Sequence, residues 1–447
     1  MRKCWAGVLV AVLLLAGCAT RETEPKKKNP VVVAVDAGFV QRPLNGARYV
    51  VTVDPAGAVL AGEAEVAVVA GPVPSGLAGF TLVSGAPAPL QGFVDQPGTA
   101  ARLVAGAAGS STPAASVAHR PGPAAEVLGL LEQLKPQPEA EITLTVTGDF
   151  MLSRGVDRAM RENGTLYPVA TVKDHLAAAD LTFVNLESPV GVKGTPLPGK
   201  QIWFRARPEA MEILKAAGVD GVTVANNHIL DYDTENFLET LDGLQQAGIK
   251  YVGGGRSISE ARKPMVLEAK GVKIAFLGYS QFADLFFDWK YPRSFSATET
   301  LAGVPRIQDD WLAEDIKAAK ALAPIVAVAY HWGDEFQNYP NEEQKRIARL
   351  SIDLGADLVL GYHPHAIQGF EFYKGKFIAY STGNFIMDRQ DTDLARESMI
   401  LDFTVAPSGV RAVNVLPVWI KAEQPYIMTG AEGERLVQKM RKISEWK

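Results

Sequence analysis

The stretch GVTVANNHILDY, Gly221–Tyr232, joins two kinds of chemistry. GVTV is an apolar run that reads as a buried strand. Asn226, Asn227, His228 and Asp231 then crowd its carboxyl end. Ligands of open α/β sheets bind at the carboxyl edge of the strands. The stretch therefore predicts an α/β architecture and marks where its site should lie.

Strand-like and helix-like segments alternate on both sides of it, from Ile142 onward. ITLTVTG, LTFVNL, GVTVAN, IKYVGG, VKIAFLGY, PIVAVAYH, ADLVLGY and KFIAYST read as buried strands. PVATVKDHLAAA, PEAMEILKAAG, ENFLETLDGLQQAG and NEEQKRIARLSIDLG read as helices, and Gly218 and Gly248 close two of them. This order predicts one α/β domain over 139–420 with a largely parallel core. ESMILDFTV and VRAVNVLPVWI read as antiparallel additions, and residues 421–447 as a terminal helix.

Polar residues gather just past the predicted strands. They are Asp149, Glu187, Asn226, Asn227, His228, His331, His363, His365 and Asn384. Four of the chain's six histidines belong to this set. Burying so many polar groups together is unfavourable unless something pairs them, and a cation does so. Imidazole, carboxylate and amide donors without thiolate suit Mn, Fe or Zn, as one or two ions in a hydrolytic site. On an extended His363-Pro364-His365 segment the two rings would point to opposite faces, one to metal and one to substrate or a second ion. Asp231 either orients His228 or caps the next helix. Arg205 is a candidate for anion binding. His175 shares a helical face with Val172, Leu176 and Ala179 and reads as a packing residue.

The 447-residue chain has a formal net charge of −5, and no basic stripe with interleaved aromatics, which argues against nucleic acid as a partner. Arg2 and Lys3 precede an apolar run too short to span a bilayer, so residues 1–18 read as a signal peptide. LAGC, Leu15–Cys18, resembles a bacterial lipobox. That implies lipidation at Cys18 and an extracytoplasmic, membrane-anchored lipoprotein. With Cys4 and Cys18 as the two cysteines, the mature protein would hold no disulfide and no thiolate ligand. Residues 19–30 read as a tether. Residues 31–138 read as a small β-rich accessory region, with strands in VVVAVDAG, ARYVVTVDP and AEVAVVAG. A small-residue linker bearing His119 follows, then a helix in AEVLGLLEQL.

VTGDFML, FVNLESPV, FRARPE, GVTVANNHILDY, AGIKYVGGG, AYHWGDEF, LGYHPHAIQGFE and AYSTGNFI occur in this order over Ile142–Val405. Together they resemble the capsule-synthesis CapA family, poly-γ-glutamate capsule proteins with a calcineurin-like metallophosphatase fold. The resemblance implies an α/β/β/α sandwich. It also implies metal ligation by Asp149, Glu187, Asn227, His228, His331, His363 and His365, or a subset of them. The metallophosphatase pattern opens with Asp-x-His, and here Met151 stands in the histidine's place.

Two functions fit. One is hydrolysis of a phosphoester or related bond. Asp149, Glu187, Asn227, His228, His331 and His363 would hold metal, with His365 and Asp231 in catalysis and Arg205, Asn226 and Asn384 toward substrate. The other is non-catalytic binding of an anionic polymer, such as polyglutamate or capsular polysaccharide, beside the capsule synthesis or export machinery.

Overall fold

The computed structural model describes residues 139–388 and 391–445 throughout, and before them only the backbone of short strands between Leu9 and Ala105. The chain divides into two units, Met1–Pro138 and Glu139–Lys447. In the first, Val32–Asp36 pairs in parallel with both Arg48–Thr52 and Val66–Val68. Leu90–Val94 pairs antiparallel with Arg102–Ala105. Cys18, the tether, His119 and the helix expected at 125–134 lie outside the described residues.

The second unit is built on two sheets. Its strands begin with β1 (Ile142–Phe150), β2 (Leu181–Leu186), β3 (Gly221–Thr223) and β4 (Lys250–Val252). Next come β5 (Met265–Ala269), β6 (Val272–Ser280), β7 (Ile325–His331), β8 (Leu358–Tyr362), β9 (Phe370–Tyr373) and β10 (Lys376–Ala379). The last four are β11 (Asn384–Ile386), β12 (Glu397–Ala406), β13 (Gly409–Lys421) and β14 (Gln424–Ile427). One sheet has the order β4-β3-β2-β1-β12-β13-β14, with β11 also paired to β1; the other runs β5-β6-β7-β8-β10-β9. β1 to β4 are mutually parallel, as are β6, β7, β8 and β10, whereas β12, β13 and β14 are antiparallel additions.

Alternation along β6 shows how the sequence makes four layers. Ile274 and Phe276 face the other sheet. Ala275, Leu277 and Tyr279 face helices α4 (Asp309–Leu322) and α5 (Glu342–Asp353). On β2, Phe183 meets Phe276 between the sheets at 4.4 Å between ring centres. Val184 and Leu186 point outward, toward helices that include α2 (Ala210–Ala216) and α3 (Asp233–Ala247). Strands buried on both faces read as continuous apolar runs, which is why they stand out in the sequence. The result is a helix–sheet–sheet–helix sandwich. Asn341 and Gln344 start α5 with a reciprocal capping box.

In its helices and its C-terminal segment the structure departs from the sequence reading. The helix expected over 168–179 is broken into a 3₁₀ turn, Tyr167–Val169, and a short helix, Lys173–Ala177. Thr171 turns its hydroxyl to the Pro425 carbonyl at 2.6 Å between them. His175 is not a packing residue: it is part-exposed and its Nε2 lies 3.1 Å from Asp402. Helices Arg154–Asn163 (α1) and α4 are additional to the reading, because their apolar stripes are interrupted by charge. The segment 421–447 begins with the end of β13 and β14 before helix α6 (Gly430–Ile443). No helix among the described residues is long and apolar enough to cross a membrane.

Candidate metal centre

Five strands converge on one pocket, and the segment after β3 adds Asn227 and His228. β1 delivers Asp149, and the paired position on β2 is Asn185. A register irregularity between Val146 and Asp149 interrupts the β1–β2 ladder just before the carboxylate. Asn384, at the start of β11, is the partner of Asp149 on the other side. Gly148 allows that approach: a Cβ there would lie 2.0 Å from the Gly383 carbonyl oxygen. Glu187 follows β2, and its amide donates to the Phe150 carbonyl at 2.9 Å. From the second sheet, β7 ends on His331, and His363 and His365 follow β8.

The His363-Pro364-His365 element is not extended. Both histidines have left-handed backbones, φ 96° and 53°. Their rings therefore enter the same pocket, 5.6 Å apart, instead of facing opposite ways. Left-handed backbone is uncommon for residues other than glycine and points to a functional constraint.

Donor atoms crowd the pocket. His331 Nε2 lies 2.9 Å from Asn227 Oδ1, 3.2 Å from His363 Nδ1 and 3.6 Å from Glu187 Oε1. His365 Nε2 is 3.7 Å from Glu187 Oε1, and its Nδ1 is 3.6 Å from Asp149 Oδ2. Among the described residues, three groups of His, Asp and Glu bring their ligand atoms within 4.8 Å of one another. They are Asp149–Glu187–His365, Glu187–His331–His363 and Glu335–His363–His365.

The chemistry of this donor set fits a divalent cation. Both Glu187 oxygens and Asp149 Oδ2 are buried without a hydrogen-bond partner. Such groups are costly unless a positive charge faces them. Burial pushes the Asp149 carboxyl up to about 6. Burial, and then the charges of Asp149 and Glu335, hold the Glu187 carboxyl well above its ordinary range. Burial and the neighbouring rings keep His331 and His363 well below theirs, so both stay neutral and able to ligate.

His228 stands apart from all three groups. Its Nδ1 pairs with Asp231 Oδ2 at 2.7 Å, and its ring stacks on Phe204 with centres 3.9 Å apart. Asp231 is fully buried. It also accepts the Phe204 amide at 2.6 Å and forms an ion pair with Lys200 at 2.5 Å. Lys200 donates in turn to the Asn227 carbonyl at 2.6 Å. Asp231 is thus the orienter of His228 and not a helix cap; α3 begins after Tyr232 without a side-chain cap. An Nδ1–H held by Asp231 leaves the His228 Nε2 lone pair available. Burial brings the His228 imidazole down to about 4, with Asp231 opposing that shift.

The pocket gathers Asp149, Glu187, Asn227, His331, His363 and His365, with His228 and Asp231 paired at one wall. Asn384 accepts from His365 Nδ1 at 2.8 Å and holds that ring. Asn226 serves the scaffold, donating to the Leu186 carbonyl at 2.8 Å and accepting the His228 amide at 3.0 Å. Arg205 is directed elsewhere: its guanidinium lies over Tyr232, 3.9 Å from the ring centre, and donates to the Val192 and Lys193 carbonyls. Sequence reasoning missed Glu335, Lys200 and the bridging amide of Asn185, which donates to Asp149 Oδ1 at 2.7 Å. Glu335 lies four residues past His331, so reading on through the loop after β7 would have found it. Lys200 sits in a long loop, and no pattern marks it.

The family described as bacterial capsule synthesis protein PGA_cap matches residues 143–389, more than half of the chain. The "Capsule biosynthesis protein CapA" of Bacillus anthracis is 30% identical over 305 residues, covering 67% of this chain and 72% of that protein. The "PGA biosynthesis protein CapA" of Bacillus subtilis (strain 168) is 30% identical over 295 residues, covering 66% and 75%. The strand-end histidines and the carboxylates lie within the matched span, and β12, β13, β14 and α6 lie beyond it. The chain belongs to the bacterial capsule synthesis protein family PGA_cap.

Proposed function

We propose that this protein is a metal-dependent hydrolase in the biosynthesis of an anionic surface polymer of the poly-γ-glutamate type. The names of its relatives support the polymer. The hydrolytic reading is carried by the buried Glu187 and Asp149 oxygens without partners, set against three imidazoles. Asp149, Glu187, Asn227, His331, His363 and His365 would hold one or two ions of Mn, Fe or Zn. A divalent ion there supplies Lewis acidity and lowers the pKa of water. His228 accepts a proton at Nε2, and Asp231 fixes its tautomer, as a buried carboxylate does for a catalytic imidazole. Lys200 and the Phe204 amide keep Asp231 in place.

This geometry separates two variants. His363→Ala is expected to lose both metal and turnover. His228→Ala is expected to keep its metal and lose about 10²–10⁴-fold in kcat. Metal content by elemental analysis and turnover of bis(p-nitrophenyl) phosphate check both. Loss of metal in His228→Ala would return His228 to the ligand set, and full activity would remove it from the chemistry.

A second reading has an observation of its own. Met151, fully buried, stands where Asp-x-His would place an imidazole. A site lacking that group could hold polymer without cleaving it, beside the export machinery. Tight polyglutamate binding by a metal-loaded protein with no turnover of any phosphoester would favour it. We further propose anchoring through lipid on Cys18; Cys18→Ser should release the protein from membranes.

A further inference from the structure

The loop after β7, HWGDEF, is built to aim one side chain. Gly333 has φ 84°, and a Cβ there would lie 2.6 Å from the Gln344 amide. Its N–H donates to Gln281 Oε1 at 2.8 Å. Asp334 accepts from Asn341 Nδ2 at 2.9 Å. Phe336 is also left-handed, at φ 58°, and its N–H donates to the Pro364 carbonyl at 2.7 Å. A phenylalanine rarely adopts that conformation. Two left-handed residues therefore bracket Asp334-Glu335, and a hydrogen bond ties the segment to the proline between the two site histidines. The outcome is a Glu335 carboxylate grouped with His363 and His365.

We propose that Glu335 is a ligand of the metal centre, entering from the solvent side through the histidines that also serve the two inner groups. Asp149 and Glu187 are fully buried, whereas Glu335 is exposed. Of the three carboxylates it is the one with water beside it. It is therefore the one that an incoming anionic group of the substrate can displace without unfolding the pocket. The strained Phe336 backbone keeps it at the mouth when it is displaced. The inference rests on the metal reading above.

Equilibrium dialysis with Mn(II) and the Mn(II) EPR spectrum test it on the full chain. Glu335→Gln should weaken binding of at least one ion by about 10–100-fold, the range for losing a group that supports a metal site. The EPR signal should change with it. Glu299→Gln, an exposed acid outside the group, should match wild type. Glu335→Asp should recover part of the affinity if the carboxylate itself is what binds. Unchanged affinity, ion count and spectrum in Glu335→Gln would overturn the assignment while leaving the inner site standing. No Mn(II) bound by wild type would remove the inner site as well, and the two failures are distinguishable.

Discussion

Glu187→Gln should abolish metal binding and, at neutral pH, stabilise the metal-free protein. Both oxygens of Glu187 are buried without a hydrogen-bond partner. A buried carboxylate left that way costs on the order of 1–3 kcal/mol. The neutral amide removes most of that cost, so metal-free Glu187→Gln should melt about 2–6 °C above metal-free wild type for a domain of this size. The order reverses once metal is added. Wild type gains about 2.7 kcal/mol at a hundred times Kd, and the variant gains nothing.

The effect has a defined pH sense. Burial raises the Glu187 carboxyl above its ordinary value of 4.5, so the unfolded chain loses that proton first. The penalty in wild type is absent below about 4.5 and grows as pH rises through the folded carboxyl's range. The gap between the two metal-free proteins should therefore close as pH falls toward 4.5. Asp149, raised from 3.8 to about 6, contributes the same sense of slope to both. Calorimetry with and without chelator reads all of this. A variant that melts below metal-free wild type at pH 7 would contradict the account of Glu187 as an uncompensated charge.

Gly148→Ala should damage the site with a single methyl group. Its Cβ would fall 2.0 Å from the Gly383 oxygen and 3.0 Å from the Asn384 carbonyl carbon, both backbone atoms. The Asp149 N–H donates to that same Gly383 oxygen at 3.1 Å. Relief requires moving β11 away from β1, which costs about 3 kcal/mol at the upper range for overpacking. That movement also carries Asn384, which holds His365, away from Asp149. Stability and metal affinity should fall together, as read by urea unfolding and Mn(II) titration. Wild-type values for both would mean the two strands have slack that the structure does not show.

The fold was legible because its central strands are buried on both faces and their apolar runs need no partner to be recognised. Residues at strand ends followed from the same reading, since Asp149, Glu187, Asn227, His331, His363 and His365 sit within three residues of the ends of those runs. What the sequence could not carry was backbone conformation. The left-handed backbones of His363 and His365 put both rings into one pocket, whereas residue spacing predicts opposite faces. Roles within the pocket were hidden for a related reason. Asp231, three residues from His228, looks alike as a cap or an orienter, and the decision comes from Lys200 and Phe204, far away in the loop before α2. Arg205 shows the reverse case: a guanidinium in a family motif whose contacts, with Tyr232, only the folded chain displays. The breaks in the helix expected at 168–179 come from contacts with β14, which only the folded chain brings near.

The most direct test of the central claim is the metal content of the full chain purified without chelator, measured by elemental analysis beside His363→Ala. The account predicts one or two Mn, Fe or Zn ions per chain in wild type and none in the variant. A well-folded wild-type protein that holds no divalent metal, and takes none up on addition, would contradict it.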